Sequence, residues 1–321
     1  MGKDKRWIVI NERNETVVDE GWEWCMIATP KLINFRDNGL DGLYDLQDRR
    51  VVLKPRLKSI CNIDNSVFSM EQDGRFHLID INGRIVCKRA FVIIKQFVDG
   101  IAAAKDEESN LYGFINLAGE WVIRPSFWHA EQFAGGLSPV CREFGEYFYI
   151  DRHGDVVIPG PFIDAQGFSE GLAHVRDKDG DHYIDSSGKI KFSGGDDWSC
   201  GGAFSCNRAS VLSRKQLEKV FFIDKTGKMV GDNLYGKSGS FSENVAAVAV
   251  NNRWGLVDLS GGLVVPYQFD DISFQSCGLS AAELEGKCGY IDSAGRQVIE
   301  FSYSLAGDFE PANRLACVEV G

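Results

Sequence analysis

The side chains of this 321-residue chain best able to do chemistry are acids, replaced twice by an amide, that return at a fixed spacing. Asn11, Asp45, Asp80, Asn116, Asp151, Asp185, Asp224, Asp258 and Asp292 are separated by 34, 35, 36, 35, 34, 39, 34 and 34 residues. A row of carboxylates could supply general acids or ion ligands. Three residues after each stands Asn14, Asp48, Gly83, Gly119, Gly154, Gly188, Gly227, Gly261 or Gly295, and Gly, Asn and Asp are the types that best tolerate a left-handed backbone. A carboxylate capping the amides of its own turn explains that pairing without any reaction. Asp177-Lys178-Asp179-Gly180-Asp181 has the opening spacing of a calcium loop, but lacks the glycine at the sixth place and the distal Glu, so a solvated hairpin loop is expected.

The other chemical residues are dispersed. Five histidines (77, 129, 153, 174, 182) have no Cys or second His at ligand spacing, and nine cysteines (25, 61, 87, 141, 200, 206, 277, 288, 317) contain no Cys-x-x-Cys pair. Reduced, half-buried thiols of a cytoplasmic protein are the expected reading, with no metal and no cofactor. There is no Gly-x-Gly-x-x-Gly or phosphate-binding loop, and no Ser, His and Asp whose spacing announces a nucleophile. Two departures from the repeat are the candidate partner-binding residues. In the 39-residue interval, Asp196, Asp197 and Trp198 replace an expected Pro-x-Phe, and an aromatic beside acids suits a protein hot spot facing a basic partner. Trp128 and His129, on the connection after Pro125, are the second candidate.

The elements that carry these residues follow from the same periodicity. An Asp or Asn turn with Gly at its fourth place, between Tyr-Ile and Val-Ile or Val-Val, is hairpin chemistry. Pro55, Pro125, Pro159 and Pro266 are expected to close the second strand, as Pro suits a strand end or an edge. A second fixed aromatic recurs at Phe97, Phe133, Phe168, Phe204, Phe241, Phe274 and Phe309, followed by Gly100, Gly136, Gly171, Asn207, Asn244, Gly278 and Asn313, where a third short strand begins. No stretch of about 12 residues holds apolar positions at helical spacing, which excludes the helical repeats of similar period. Residues 213–220 are a short helix or a loop.

The pattern Gly-aromatic-Ile-Asp-x-x-Gly-x-Val-Val-x-Pro-x-Phe, then Phe-Ser-Glu-Gly-Leu-Ala-x-Val, resembles the bacterial WG repeat. Trp254-Gly255-Leu256-Val257-Asp258 and Phe168-Ser169-Glu170-Gly171-Leu172-Ala173 match its two halves, while Tyr112-Gly113 and Cys288-Gly289 vary the Trp-Gly pair. The resemblance implies a β-repeat interaction module, some members of which look like immunity proteins in toxin loci, and it carries over no catalytic residue.

The expected fold is all-β: about nine hairpin-based units of roughly 35 residues in an open curved solenoid, with a closed propeller-like ring as the alternative. Residues 1–39 form a degenerate capping repeat and residues 40–321 the array; Trp22, Trp24 and Phe35 miss the expected aromatic position. The ends are complementary, a first-type strand at the start and a third-type strand at the finish, so a ring would pair them and a solenoid would expose both. The charge of −11 opposes a nucleic-acid partner. The basic start leads into too short an apolar run for a signal peptide, and no run reaches the ~18 residues of a membrane helix. The expected function is non-enzymatic binding of a basic or neutral protein, the alternatives being an immunity protein and a carbohydrate-binding repeat.

Overall fold

The computed structural model describes residues 5–62 and 66–321; residues 1–4, part of the basic start, lie outside it. The described residues form strands of two to eight residues and no helix, so none is long and apolar enough to cross a membrane. Of residues 213–220, 214–219 are a loop between the strands Arg208–Ser213 and Val220–Asp224, and the Gln216 amide donates to Ser213 Oγ at 3.1 Å. The chain divides into two compact units, Met1–Arg56 with Ser205–Gly321, and Leu57–Phe204.

In the first unit the strands Lys237–Ser238, Val245–Val250, Arg253–Asp258 and Leu263–Phe269 make one four-stranded antiparallel sheet. Asp271–Ile272, Leu279–Leu284, Lys287–Asp292 and Gln297–Tyr303 make another. The second unit repeats the pattern with Asp164–Ala165, Leu172–Asp177, Gly180–Asp185 and Ile190–Ser193, while seven strands from Ile60–Asn62 to Trp121–Phe127 share a single sheet. Four strands per sheet, rather than the expected three, arise because a two-residue strand precedes the small-residue strand. Each sheet is also out of phase with the sequence repeat, since the small-residue strand pairs with the hairpin that follows it, as Ala247 does with Leu256.

That phase decides the fate of the ends. Among the described residues, the hairpin Arg6–Asn11 with Thr16–Trp22 supplies one half of a four-stranded sheet and the pair Leu305–Ala306 with Leu315–Val320 the other. The two halves complete one sheet within the first unit, paired from Arg6↔Val320 to Asn11↔Leu315. The two end strands therefore satisfy their facing backbone groups on each other. The 39/40 boundary set for a capping repeat falls in the turn between Leu32–Asp37 and Leu40–Asp45, two strands of one sheet. In that first segment Trp22 and Phe35 stack at 4.7 Å, and Trp22 pairs with Trp7 as Phe127 does with Tyr112 and Phe269 with Trp254.

The periodic acids are turn caps. Asp258 Oδ1 accepts the amides of Ser260 and Gly262 at 2.8 and 2.9 Å, and Gly261 takes φ +80°. The same two-amide pattern recurs at Asn11, Asp80, Asn116, Asp151, Asp185, Asp224 and Asp292. The Ser260 hydroxyl and then these amides hold the Asp258 carboxyl below its ordinary value against the opposing effect of burial. Asp45 departs from the pattern: its oxygen takes the Asp48 amide directly, and Arg49 rather than Asp48 becomes left-handed. Near Asn313 the left-handed residue is Arg314. A further turn was not read from sequence. Glu170-Gly171 and Glu243-Asn244 are consecutive left-handed pairs closed by reciprocal backbone bonds, the two-residue turn whose twist suits a hairpin.

The strands expected to stop at proline continue through it. Pro55, Pro125, Pro159 and Pro266 lie inside Arg50–Leu57, Trp121–Phe127, Val156–Phe162 and Leu263–Phe269, each the outer strand of its sheet, where a missing amide costs no ladder bond. The register shifts there, and the displaced backbone passes over the glycine of the repeat. A Cβ on Gly255 would lie 2.3 Å from Val265 O, on Gly113 2.5 Å from Ile123 O, and on Gly289 2.7 Å from Ile299 O. The Gly of the Trp-Gly pair is therefore a close-approach residue. Gly255→Ala is expected to lose about 1–3 kcal/mol by overpacking, measured as a urea midpoint; a change within about 0.3 kcal/mol would show that the strand yields freely.

The fixed aromatics are buried core, with one exception. Phe133, Phe168, Phe204, Phe241 and Phe309 are covered and pack on Phe114, Tyr149, Tyr183, Phe222 and Tyr290 at 4.7 to 5.2 Å between ring centroids. Phe274 instead is 54% exposed, and its neighbour Gln275 takes the slot at 4%. The carbonyls mark the correspondence: Ser205 Oγ donates to Phe241 O, Ser276 Oγ to Phe309 O, and Ser242 Oγ to Gln275 O.

Candidate functional site

Trp198, expected at a surface patch, is only 2% exposed. It packs on Tyr183 at 5.6 Å, Phe192 at 6.4 Å and His174 at 6.5 Å, so the irregular interval supplies an aromatic to the core of the second unit. The physical reason is the sharp turn at residues 194–197, closed by Asp197 N to Gly194 O, which leaves Asp196 and Asp197 in solvent and drives the indole inward. The acids and the indole do not make one patch.

Trp128 and His129 behave differently. Trp128 is the residue between the strands Trp121–Phe127 and His129–Ala130, held by its amide to Cys141 O at 2.8 Å, and it is 50% exposed. Its ring meets Phe144 edge to face at 6.0 Å, and Phe144, on the turn after Ser138–Cys141, is 83% exposed. His129 points the other way along the strand pleat. Its ring lies between Tyr112 at 5.8 Å and Tyr147 at 5.9 Å, and Nε2 is 3.2 Å from Glu131 Oε1. The second Glu131 oxygen receives Lys95 Nζ at 2.8 Å. The His129 contact and then Lys95 outweigh burial and bring the Glu131 carboxyl down to about 2. His129 Nδ1 is buried with no protein partner among the described residues.

These side chains border a cleft of about 350 Å³, lined by His129, Glu131, Gln132, Tyr147, Asp164 and Gln166. Asp164, half-buried on Asp164–Ala165, has no ion-pair partner among the described residues; burial, then Cys141, and after it the Asp164 charge push the Tyr147 phenol up to about 12. The cleft thus offers one neutralised carboxylate, one free carboxylate, two amides and an aromatic wall. It suits a cationic or hydrogen-bonding group. Sequence reading found Trp128 and His129 as irregularities, but Glu131, Tyr147 and Asp164 carry no pattern that singles them out.

The remaining candidate chemistry resolves into structure. Asp177 accepts the Asp179 amide and faces His182 Nε2 at 2.9 Å, while Asp181 is buried against His174 and Arg176, so the acidic loop is a hairpin turn with the Asp177 and Asp181 carboxylates engaged. His182 also bonds Ser193 Oγ at 2.7 Å, giving a Ser–His–Asp chain. The cross-strand register His182↔Ser193 and the Asp177 turn place all three without reference to a substrate. Among the described residues no group of three His, Cys, Asp or Glu could hold a metal.

The fold is similar to that of a solved eukaryotic initiation factor, with TM-score 0.62, 11% identity and 88% of both chains covered. It is less similar to the dihydro-heme d1 dehydrogenase NirN, at 0.45 and 12% over 91% of this chain and 72% of that one. Against BamB from Moraxella catarrhalis the values are 0.42 and 10%, over 92% and 96%. The first likeness is one of fold alone. No curated protein matches the sequence. The family described as WG containing repeat matches residues 112–143, 147–180, 221–254, 254–288 and 289–321, which spans the cleft, both Trp128 and His129, and more than half of the chain. Its repeated Gly and aromatic positions are the close-approach glycines and core rings described above, and the chain belongs to the WG-repeat family.

Proposed function

We propose that the protein is a non-enzymatic interaction module that binds a protein partner at the Trp128–Phe144 edge, with a basic side chain of the partner entering the His129 cleft. The observation that carries this is the pairing of two exposed aromatic rings with a neighbouring cleft whose Asp164 is uncompensated. Aromatic anchors beside a rim charge are the usual composition of a hot spot. The edge-to-face ring geometry, 88° between planes, offers no flat platform for a sugar, which favours a protein over a carbohydrate. Pull-down from the native cell would identify the partner; a toxin would make the protein an immunity protein.

With a partner in hand, Trp128→Ala is expected to weaken binding about 30-fold or more, and Phe144→Ala by a smaller factor, with the melting temperature unchanged because both rings are exposed. Asp164→Asn should slow association and flatten its salt dependence. Unchanged affinity in Trp128→Ala would rule out this face.

A further inference from the structure

We infer that Cys25 and Cys317 form a site of reversible oxidation, a disulfide between the strands Trp24–Thr29 and Leu315–Val320 made by exchange with a small-molecule disulfide. The two thiols come from opposite ends of the chain and lie in the same unit. Both are free, at 1% and 4% exposure, and both belong to one core cluster with Val9, Ile33 and Phe35. The two thiols share the interior of that cluster, and the strands that carry them hold residue pairs within 8 Å at Cα although they belong to different sheets. Close approach of the two Cβ atoms is the condition a disulfide needs.

The chemistry closes without a metal or flavin. One Cys thiolate attacks the small disulfide, forming a mixed disulfide and releasing one small thiolate. The second Cys thiolate then attacks the mixed bond at the protein sulfur and releases the other. The two Cys protons end on the two released thiols, the protein pair loses two electrons, and the small disulfide gains them. The Cys317 sulfur, acting as acceptor for the Cys25 S–H, and then burial hold the Cys25 thiol protonated, so exchange in the folded state is slow and proceeds when the end strands open. Leu315–Val320 is already tied to Arg6–Asn11 by backbone bonds; the disulfide would add a covalent tie to the neighbouring sheet. Almost the whole chain lies inside the loop it closes, so its effect on the unfolded ensemble is near the upper end for a disulfide.

The test is to incubate the full chain with oxidised glutathione, both folded and during refolding from urea, then block thiols in denaturant and map peptides. A Cys25–Cys317 cross-linked peptide is expected, with the count of free thiols falling from nine to seven. The melting temperature should rise by about 5 °C or more, reversed by dithiothreitol. Cys317→Ser should abolish both the cross-link and the shift. Full alkylation of Cys25 and Cys317 in both arms, or cross-links only between other cysteines, would overturn the assignment.

Discussion

Replacing Trp198 by Ala is expected to remove about 3–5 kcal/mol from the stability of the second unit and to lower its melting temperature by about 10 °C. The indole meets Tyr183, Phe192 and His174 through its faces and edges, so one truncation opens a cavity beside three other rings, one of which, Tyr183, is backed by Phe204 at 5.0 Å. The turn beneath it has no slack to collapse, because a Cβ on Gly194 would already be 2.3 Å from Trp198 O. Trp198→Phe should recover most of the loss. Urea titration of the two variants decides the matter. A cost under about 1 kcal/mol in the Ala variant, with partner affinity lost, would return Trp198 to the surface role first read for it.

The second large effect is expected at Asp181. Its Oδ1, in a side chain 1% exposed, takes Arg176 Nε at 3.0 Å and the Cys200 amide at 3.2 Å, and faces His174 Nε2 at 3.0 Å. Asp181→Ala leaves a buried imidazole and a guanidinium without their acceptor, at a cost of about 3 kcal/mol, the low end of the range because Arg176 reaches solvent. Acidity separates the contributions. Burial first depresses the folded-state value of His174 against the pull of Asp181, so the unfolded chain binds a proton that the folded chain refuses; stability is lost as pH falls below the ordinary histidine value of about 6.5. Burial opposes ionisation of Asp181, but Arg176 and the Cys200 amide prevail and hold it below the ordinary carboxyl value. Its contribution is present above about pH 4 and is lost as pH falls through the depressed value. The gap in urea midpoint between wild type and Asp181→Ala should therefore be wide at pH 7 and narrow toward pH 3. A gap independent of pH would show that Asp181 acts through packing rather than charge.

The turns of this protein could be read from residue types because their requirement is local: an oxygen at the first place, a backbone free to turn left at the fourth, a proline tolerated on an outer strand. Asp258 with Gly261 needs nothing beyond five consecutive residues. One-residue ambiguities escaped for the opposite reason. Phe274 and Gln275 are adjacent, and in an extended chain neighbours face opposite ways, so hydrophobicity pointed to the Phe while the bond from Ser242, more than thirty residues away, buried the Gln. Trp198 and Trp128 were indistinguishable as aromatics in irregular connections. Only the turn at Gly194 and the rings around Tyr183 send one indole inward, and only the absence of such a neighbourhood leaves the other beside Phe144.

What the sequence by itself determined was the all-β class, the repeat and its family, since each unit states the same φ/ψ demands and the same apolar alternation. The tertiary structure decided which strands share a sheet, the meeting of Arg6–Asn11 with Leu315–Val320, the burial of Cys25 and Cys317 in one cluster, and the cleft that gathers Glu131, Tyr147 and Asp164 around His129. Those are encounters between residues distant along the chain, and side chains that meet only across a packed interface leave no period in the sequence that joins them.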